Sequence, residues 1–196
     1  MASSLQVDAP DPASQHNETL SDAQLVAAIN EGDYCAFEQI YYRYRDWVLG
    51  LAWRFTHDPD ISLDVLQETF LYFLKKFPGF RLTANLKTFL YPAVRNLSIT
   101  ACEKTRRYQA TEAELFEIEQ AAAASIASES LSDLNAIISQ TPEEQREVLL
   151  LRFVDGLSLA EIAQTLDIPL GTVKSRLHNA LRALREDPRT KTFFEP

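Results

Sequence analysis

The feature that most constrains the fold is the stretch from residue 141 to residue 186, which reads TPEEQREVLLLRFVDGLSLAEIAQTLDIPLGTVKSRLHNALRALRE. Its apolar residues recur at intervals of three and four, and two turn signals interrupt them, which predicts three helices in succession. Thr141 and Ser158 each stand three residues before a glutamate, which predicts a capping box at the first and second helices, and Pro142 suits a first helical position. Helix, turn, short helix, turn and basic helix together indicate a helix-turn-helix motif.

Each of these helices has an apolar face that is predicted to pack inward. The inward residues are Val148, Leu149, Leu151 and Phe153 in the first helix, Ile162, Ala163 and Leu166 in the second, and Val173, Leu177, Ala180, Leu181 and Leu184 in the third. Asp155-Gly156 is predicted to end the first helix with a left-handed cap, and Ile168-Pro169 to end the second.

The third helix carries polar and basic side chains on its remaining faces. They are Thr172, Lys174, Ser175, Arg176, His178 and Asn179. Arginine binds guanine through two hydrogen bonds, asparagine pairs with adenine, and lysine, serine and threonine suit phosphates. We therefore expect the first turns of this helix to enter the major groove of DNA. The alternative is a solvated, mildly basic surface helix.

This stretch resembles region 4 of bacterial RNA polymerase sigma factors, and GTVKSRL after the EIA helix is similar to the extracytoplasmic-function (ECF) group. The resemblance implies that the third helix reads the −35 element of a promoter. It also implies a second helical domain upstream, which binds core RNA polymerase and opens the promoter.

Residues 64–71, DVLQETFL, resemble the acidic amphipathic helix with which region 2 of the family binds the polymerase clamp helices. Val65 and Leu66 stand in the reverse of the usual order, an exchange that conserves volume. The resemblance implies polymerase contacts by Asp64, Gln67, Glu68 and Leu71. The alternative is an ordinary solvated face on a helix whose inward residues are Leu63, Leu66, Phe70, Leu74 and Phe77.

Residues 80–107, FRLTANLKTFLYPAVRNLSITACEKTRR, resemble the promoter-melting loop and the helix that reads the −10 element, with an arginine-rich end. The resemblance implies DNA contacts by Phe80, Arg81, Asn85, Phe89, Tyr91, Arg95, Asn96, Lys104, Arg106 and Arg107. Bases stack on aromatic rings and phosphates bind cations, while the loop at 82–86 would hold a flipped base. The alternative for Phe80, Phe89 and Tyr91 is a place in the core.

This segment departs from the family pattern at four positions. Leu86 replaces a phenylalanine and Phe89 a tryptophan, and the acidic residue that the family usually has near Thr100 is missing. Fewer aromatic surfaces predict weaker unaided melting. Pro92 is expected to kink its helix, since proline inside a helix costs about 3 kcal/mol unless packing compensates.

Composition supports an all-α chain with two small domains. The chain has 196 residues, 46% of them hydrophobic, with five glycines and few alternating runs. Residues 20–56 predict two helices, the first capped by Ser21 with Gln24 in the boxed position and the second running from about Asp33. Trp47, Leu51 and Phe55 are predicted core residues.

The net charge of −9 is unevenly distributed. Residues 1–33 carry six acidic and no basic residues, and residues 108–147 carry nine acidic and one basic, which leaves net charges of −6 and −8. Residues 34–107 carry eleven basic and seven acidic residues, and residues 148–196 carry seven and six, for +4 and +1. The segments with predicted DNA-reading helices are therefore positive, so that overall charge does not exclude DNA binding.

These patterns predict five segments along the chain. Residues 1–18 form a disordered extension with neither a signal-peptide core nor a membrane span, 19–107 a region 2-like domain, 108–130 an acidic linker, 131–188 a region 4-like domain and 189–196 a tail. The linker is either a solvated tether or, by resemblance, a strand that follows the polymerase toward the RNA exit path. We also expect that either the linker or an anti-sigma factor holds the two domains together with their DNA surfaces covered.

Nothing in the sequence indicates an enzyme, a cofactor, a metal site or a small-molecule substrate. His16, His57 and His178 lack ligand spacing, and no glycine-rich phosphate loop occurs. Cys35 and Cys102 indicate a reduced, cytoplasmic protein and are expected as buried thiols, with a redox pair as the alternative.

Three functions are consistent with these patterns. The preferred one is an ECF-type sigma factor whose partners are core RNA polymerase, promoter DNA and an anti-sigma factor. The second is a two-domain helix-turn-helix regulator that does not bind core polymerase. The third is a sigma-like decoy that sequesters an anti-sigma factor.

Overall fold

A computed structural model describes residues 20–113, 138 and 140–187 of the chain. In these ranges the regular secondary structure is helical, which confirms the predicted all-α class. The helices with full bounds are α1 (Asp22–Asn30), α2 (Tyr34–Thr56), α3 (Pro59–Leu74), α4 (Leu86–Ala113), α5 (Glu143–Phe153), α6 (Leu159–Leu166) and α7 (Leu170–Glu186). No helix among the described residues is both long enough and apolar enough to cross a membrane. The predicted N-terminal extension, most of the linker and most of the C-terminal tail lie outside the described ranges.

Helices α1 to α4 form an N-terminal unit, and side chains cap the first three of them. Ser21 and Gln24 make the predicted capping box at α1, in which the Ser21 N–H donates to Gln24 Oε1 at 2.9 Å. The second helix was predicted to run from about Asp33, and Asp33 is its cap. Asp58 caps α3, and each of the two carboxylates accepts two backbone N–H groups. The local sequence therefore sets where these helices begin.

The core of the N-terminal unit is built from apolar residues of all four helices. Fully buried side chains include Leu25, Ile40, Leu51, Phe73, Leu86, Leu90 and Val94. Burial of Leu51 is as predicted, whereas Trp47 and Phe55 are half-buried.

The predicted inward face of α3 is wrong at Leu63, which is 46% exposed. Ser62 occupies the buried position in this turn, where its hydroxyl donates to the Asp58 carbonyl at 2.6 Å. Leu66 and Phe70 are buried as predicted. Phe77 lies beyond the end of α3, half-buried against Phe73.

Helix α4 runs without a break through Pro92, so the proline does not end it. Tyr91 and Val94, on either side of Pro92 in sequence, are both buried, and this packing supports the helix around the proline. The helix continues six residues beyond Arg107 into the segment predicted as linker.

Helices α5 to α7 form a C-terminal unit. Ser158 and Glu161 make the predicted capping box at α6, and Gly156 adopts the left-handed conformation (φ 74°) expected after the first helix. Two predictions fail. The cap of α5 is Pro142 and not Thr141, so the helix begins one residue later than expected. Phe153 is 61% exposed because α5 ends there and its side chain projects away from the unit.

The inward faces of the second and third predicted helices match the structure. Ile162, Val173, Ala180 and Leu184 are buried, and Ala163, Leu166, Leu177 and Leu181 are half-buried. Helix α6 ends at Asp167 in the left-handed conformation, one residue before the predicted stop at Ile168-Pro169.

The two units pack on each other through α4 and α6. Leu151, Leu157, Ile162 and Val173 of the C-terminal unit belong to the same buried apolar cluster as the N-terminal core. Leu149, Ala180 and Leu184 form a separate small cluster between α5 and α7.

Both cysteines are free thiols. Cys102 is half-buried, but Cys35 is exposed, so the prediction of two buried thiols is wrong for Cys35. Its position in the first turn of α2, next to the capping Asp33, lies outside the packed face of that helix.

Candidate nucleic-acid interface

Helix α7 carries the residues predicted to read the −35 element. Lys174, Ser175 and His178 are exposed, and Thr172 and Asn179 are half-buried. The buried Val173 and Ala180 fix which face of the helix meets the protein. The polar face therefore lies largely on the surface, as the predicted role requires.

Arg176 differs from its neighbours on α7. Its guanidinium pairs with the Glu144 carboxylate of α5 at 2.5 Å, and its side chain is only 22% exposed. The residue predicted to bind a base is therefore held by a carboxylate of its own unit.

The aromatic residues predicted to melt the promoter lie around the buried Phe73. Phe80 and Phe89 are in edge-to-face contact at a centroid distance of 4.8 Å, and Phe80 lies 5.4 Å from Phe73. Both rings are half-buried. They therefore contribute to the core and still present part of their surface.

The loop between α3 and α4 is held by Asn30 of α1. The Asn30 amide donates to the Phe80 carbonyl at 2.8 Å and accepts from the Gly79 N–H at 2.6 Å. Asn85 and Arg81 are exposed, and Asn85 Oδ1 also accepts the Lys87 N–H at the start of α4. Sequence reasoning missed Asn30, because its partners lie about fifty residues away.

The basic end of α4 is open to solvent. Asn96, Lys104, Arg106 and Arg107 are exposed, and Arg107 makes an exposed pair with Glu103 at 3.6 Å. This surface is available for phosphates, because an exposed ion pair of this kind is worth little.

Tyr91 and Arg95, which lie further back on α4, face the C-terminal unit. Tyr91 is 3% exposed and its hydroxyl donates to Glu147 Oε1 at 2.7 Å. Arg95 pairs with the same carboxylate at 3.4 Å. Burial, with the Glu147 charge and hydrogen bond, raises the pKa of the Tyr91 phenol far above its ordinary value.

A second carboxylate, that of Asp155, joins the two units at the turn after α5. Its side chain is fully buried, and it accepts hydrogen bonds from Trp47 Nε1 at 2.7 Å and from Arg54 Nη2 at 2.9 and 3.0 Å. The backbone carbonyl of the same residue accepts from Lys87 Nζ at 2.8 Å. Sequence reasoning assigned Asp155 only to a turn.

A crevice of about 170 Å³ lies between the units. Its walls include Pro92, Arg95, Asn96, Glu147, Thr165 and Arg176. Tyr91 also lines this crevice, so the structure brings Arg176, predicted for the −35 site, together with three residues predicted for the −10 site.

The predicted polymerase-binding residues lie together on α3. Asp64, Gln67, Glu68 and Leu71 are all exposed, and their spacing of three, one and three residues puts them on one helix face. Leu71 is 48% exposed. An acidic stripe with an exposed leucine suits a protein partner.

Two families cover most of the described chain. Residues 40–108 match sigma-70 region 2, and residues 131–184 match sigma-70 region 4. The fold and these matches define a sigma-70 type transcription initiation factor built from regions 2 and 4.

Curated relatives indicate which group of sigma factors the chain belongs to. The RNA polymerase sigma-H factor of Pseudomonas aeruginosa is 34% identical over 83% of this chain and 91% of its own length. The ECF RNA polymerase sigma-E factor of Escherichia coli strain K12 is 30% identical over 86% and 94%. The ECF sigma factor SigW of Bacillus subtilis is 29% identical over 84% and 95%. The chain belongs to the ECF group of RNA polymerase sigma factors.

Solved structures agree on the fold. The sigma factor RpoE of Bartonella quintana, in complex with the anti-sigma factor NepR, superposes with a TM-score of 0.56 at 25% identity, covering 76% of this chain and 94% of that one. CnrH, in complex with the cytosolic domain of CnrY, superposes with a TM-score of 0.57 at 20% identity, covering 83% and 93%.

Proposed function

We propose that this sigma factor binds core RNA polymerase through the exposed face of α3, reads the −35 element with α7, and reads and melts the −10 element with the 80–107 segment. The observation that carries the proposal is the pairing of two separate polar and basic helix faces, on α4 and α7, with an acidic stripe on α3. No covalent chemistry is required. Capture of unpaired bases, added to core binding, offsets an unstacking cost of a few kcal/mol per base.

The α3 stripe supports a contact with polymerase more than a contact with DNA. Asp64 and Glu68 would repel phosphates, while Leu63 and Leu71 expose apolar surface beside them. Such a mixed acidic and apolar face is suited to a basic, partly apolar protein surface, and the family resemblance assigns that surface to the clamp helices.

The roles proposed for the −10 residues follow from their position and exposure in the N-terminal unit. Asn96 is exposed on α4 and is the proposed base reader, and Lys104, Arg106 and Arg107 hold phosphates beyond it. Phe80 and Phe89 offer the exposed parts of their rings to unpaired bases. Tyr91 and Arg95 can contact DNA only when the C-terminal unit moves away, because Glu147 accepts the hydrogen bond of Tyr91 and pairs with Arg95.

An anti-sigma factor is the proposed regulator, and the complexes of RpoE with NepR and of CnrH with CnrY support it. Since its polymerase partner works in the cytoplasm, the same compartment is proposed for this chain. The alternative of a regulator that does not bind core polymerase is disfavoured by the match to sigma-70 region 2.

Run-off transcription with purified core polymerase and a genomic promoter library tests the proposal. Wild type is expected to initiate at specific promoters, and Arg176→Ala and Asn96→Ala to lose most of that activity. Arg182→Ala, which removes an exposed arginine of α7 outside the reading face, and Gln39→Ala on α2 are matched controls.

Two results would contradict the proposal in different ways. Core binding without initiation at any promoter would favour the decoy that sequesters an anti-sigma factor. Failure to bind core would indicate a regulator of another kind.

A further inference from the structure

Tyr72 of α3 adds an exposed aromatic ring beside the segment that is proposed to melt the promoter. Its ring is stacked on that of Phe89 in α4, at a centroid distance of 5.8 Å and an interplanar angle of 12°. Phe89 in turn contacts Phe80 at a centroid distance of 4.8 Å. Tyr72 is 40% exposed, whereas Phe80 and Phe89 are half-buried and Tyr91 is 3% exposed. Of these four rings, that of Tyr72 is therefore the most accessible to a ligand.

A lysine lies against the same ring. Lys76, one helical turn after Tyr72, has its Nζ atom 4.3 Å from the ring centroid. In the part of the chain that the structure describes, this lysine pairs with no carboxylate. Residues 69–102 include no aspartate or glutamate, and their five cations are Lys75, Lys76, Arg81, Lys87 and Arg95. The surface that this segment contributes is therefore positively charged and favours a polyanion.

A ring with a cation beside it meets the requirements of a single strand of DNA. An unpaired base stacks on the face of an aromatic ring, and the phosphate next to that base binds a cation. The ammonium of Lys76 can exchange its contact with an exposed ring for a stronger, charged hydrogen bond to phosphate. If Tyr72 served only to cover Phe89, leucine would be sufficient and no cation would be needed beside it.

We propose that Tyr72 and Lys76 form an additional site for single-stranded DNA, in which the tyrosine ring stacks with one unpaired base and the lysine binds an adjacent phosphate. This inference rests on the proposed function and adds a contact from α3 to it. Leu86 and Phe89 give the 80–107 segment less aromatic surface than the family pattern has. Tyr72 supplies a ring from another helix and so compensates for part of that loss.

Binding of a labelled oligothymidine to the full-length protein tests the site without polymerase or a promoter. Tyr72→Leu is expected to raise the Kd about fivefold, the low end of what one base stacked on an aromatic ring contributes. Tyr72→Phe keeps the ring and is expected to stay within about twofold of wild type. Lys76→Gln is expected to lower the slope of log Kd against log salt by about 0.7, the value for one phosphate contact on a single strand.

Tyr42→Leu is the matched control, because Tyr42 is also an exposed tyrosine with a cation over its ring. It lies on α2 and is 55% exposed, and the guanidinium of Arg45 is 5.1 Å from its ring centroid. Arg45 also pairs with Asp46 at 3.2 Å, so a carboxylate already binds this cation. The Tyr42 variant is expected to bind oligothymidine as wild type does.

Photo-crosslinking to the wild-type protein locates the base directly. An oligothymidine in which one residue is 5-iododeoxyuridine couples on irradiation to an aromatic side chain that contacts the base. Mass spectrometry of the proteolysed product is expected to find the modification on Tyr72. Modification of other residues without Tyr72 would overturn the proposal.

Unchanged affinity of Tyr72→Leu and an unchanged salt slope of Lys76→Gln, with helicity retained by circular dichroism, would also overturn it. If Tyr72→Leu does not fold, the Lys76 variant and the crosslink still decide. The absence of oligothymidine binding by wild type would count equally against the site, since the Tyr72 ring is already exposed.

Core polymerase binding distinguishes a DNA site from a protein site at Tyr72. The ring follows Leu71 of the proposed polymerase-binding face, so a loss of core affinity in Tyr72→Leu with oligothymidine affinity unchanged would assign Tyr72 to that face and overturn the proposal. A failure of run-off transcription with the expected oligothymidine and crosslinking results would contradict the proposed function alone, so the two proposals fail separately.

Discussion

The N-terminal and C-terminal units differ in how they bury their apolar residues. The N-terminal unit has four helices around Phe73 and side-chain caps on α1, α2 and α3. In the C-terminal unit the helices with full bounds among the described residues are α5, α6 and α7. Of these, α5 and α7 begin at prolines without a side-chain cap bond, and much of the unit's apolar surface joins the N-terminal core. The C-terminal unit, which is proposed to read the −35 element, therefore depends on the N-terminal unit for part of its stability.

The largest predicted effect on stability is that of a core substitution in the N-terminal unit, compared with one in the C-terminal unit. Phe73→Ala is expected to lower the free energy of unfolding by about 3–5 kcal/mol, because the ring is fully buried among Phe37, Phe77, Phe80 and Phe89. Leu184→Ala in the small α5–α7 cluster is expected to cost less, about 2 kcal/mol. Urea unfolding measures both, and an equal or larger loss for Leu184→Ala would contradict the contrast.

The next effect concerns the junction between the units. Asp155→Ala is expected to cost about 2–3 kcal/mol, below the 3–5 typical of a fully buried pair because Arg54 is 27% exposed. Calorimetry is expected to change from one transition to two, since the units lose their shared contact. A single transition at the wild-type temperature would show that the junction contributes nothing.

The two units each have a capping box, at Ser21 and at Ser158, so the same substitution can be compared in both. Ser21→Ala and Ser158→Ala are each expected to cost about 1 kcal/mol. At α6 the effect depends on pH: hydrogen bonds from Ser158 hold the pKa of Glu161 below its ordinary value, so their contribution is present above that value and is lost as pH falls through the depressed pKa. Acid unfolding of Ser158→Ala is expected to show a weaker dependence, because the backbone N–H of residue 158 still donates to Glu161, whereas an unchanged acid profile would argue against the box.

The smallest effect at neutral pH is that of Tyr91→Phe, expected to be under about 1 kcal/mol because Glu147 keeps Arg95. Burial raises the pKa of both Tyr91, at the junction, and Tyr44, inside the N-terminal unit. The stability contributed by each neutral phenol is complete below the ordinary pKa of about 10 and declines as pH rises above it.

Alkaline titration separates these two tyrosines when it is followed by energy transfer between a dye on Cys35 and a dye on Ala183→Cys, in a Cys102→Ser background. Opening of the units above pH 10 is expected to be reduced in Tyr91→Phe, because phenylalanine has no proton to lose beside Glu147. Tyr44→Phe is the control, and it is expected to open as wild type does. Identical opening of all three proteins would place the alkaline effect elsewhere.

Local features of the fold follow well from the sequence. The capping boxes at Ser21 and Ser158, the left-handed Gly156 and the inward face of α7 depend on residues within one or two turns of each other. Most errors lie at helix ends, where one residue decides exposure, while at Leu63, inside α3, the neighbouring Ser62 takes the buried position. Phe153 belongs to the correct period of its helix but stands in the last turn, beyond the reach of a neighbour.

The contacts that join the units were not predictable from the sequence. Asp155 is 108 residues from Trp47 and 101 from Arg54, so that no periodicity or spacing connects them. The −10 positions were assigned by resemblance and the α7 positions from their polar and basic pattern, and neither gives a signal that Arg95 and Arg176 also pair with α5. The uneven charge was the nearest indication, since residues 108–147 carry a net charge of −8 that includes Glu144 and Glu147.

The most direct test of the account is to titrate core RNA polymerase into the wild-type protein labelled at Cys35 and at Ala183→Cys, in the Cys102→Ser background. We expect high transfer efficiency in the free protein, because its units share a buried apolar cluster, and a saturable decrease as polymerase binds through α3, with Asp64→Ala weakening the response. Efficiency that is already low without polymerase, or that stays high in the saturated complex, would contradict it.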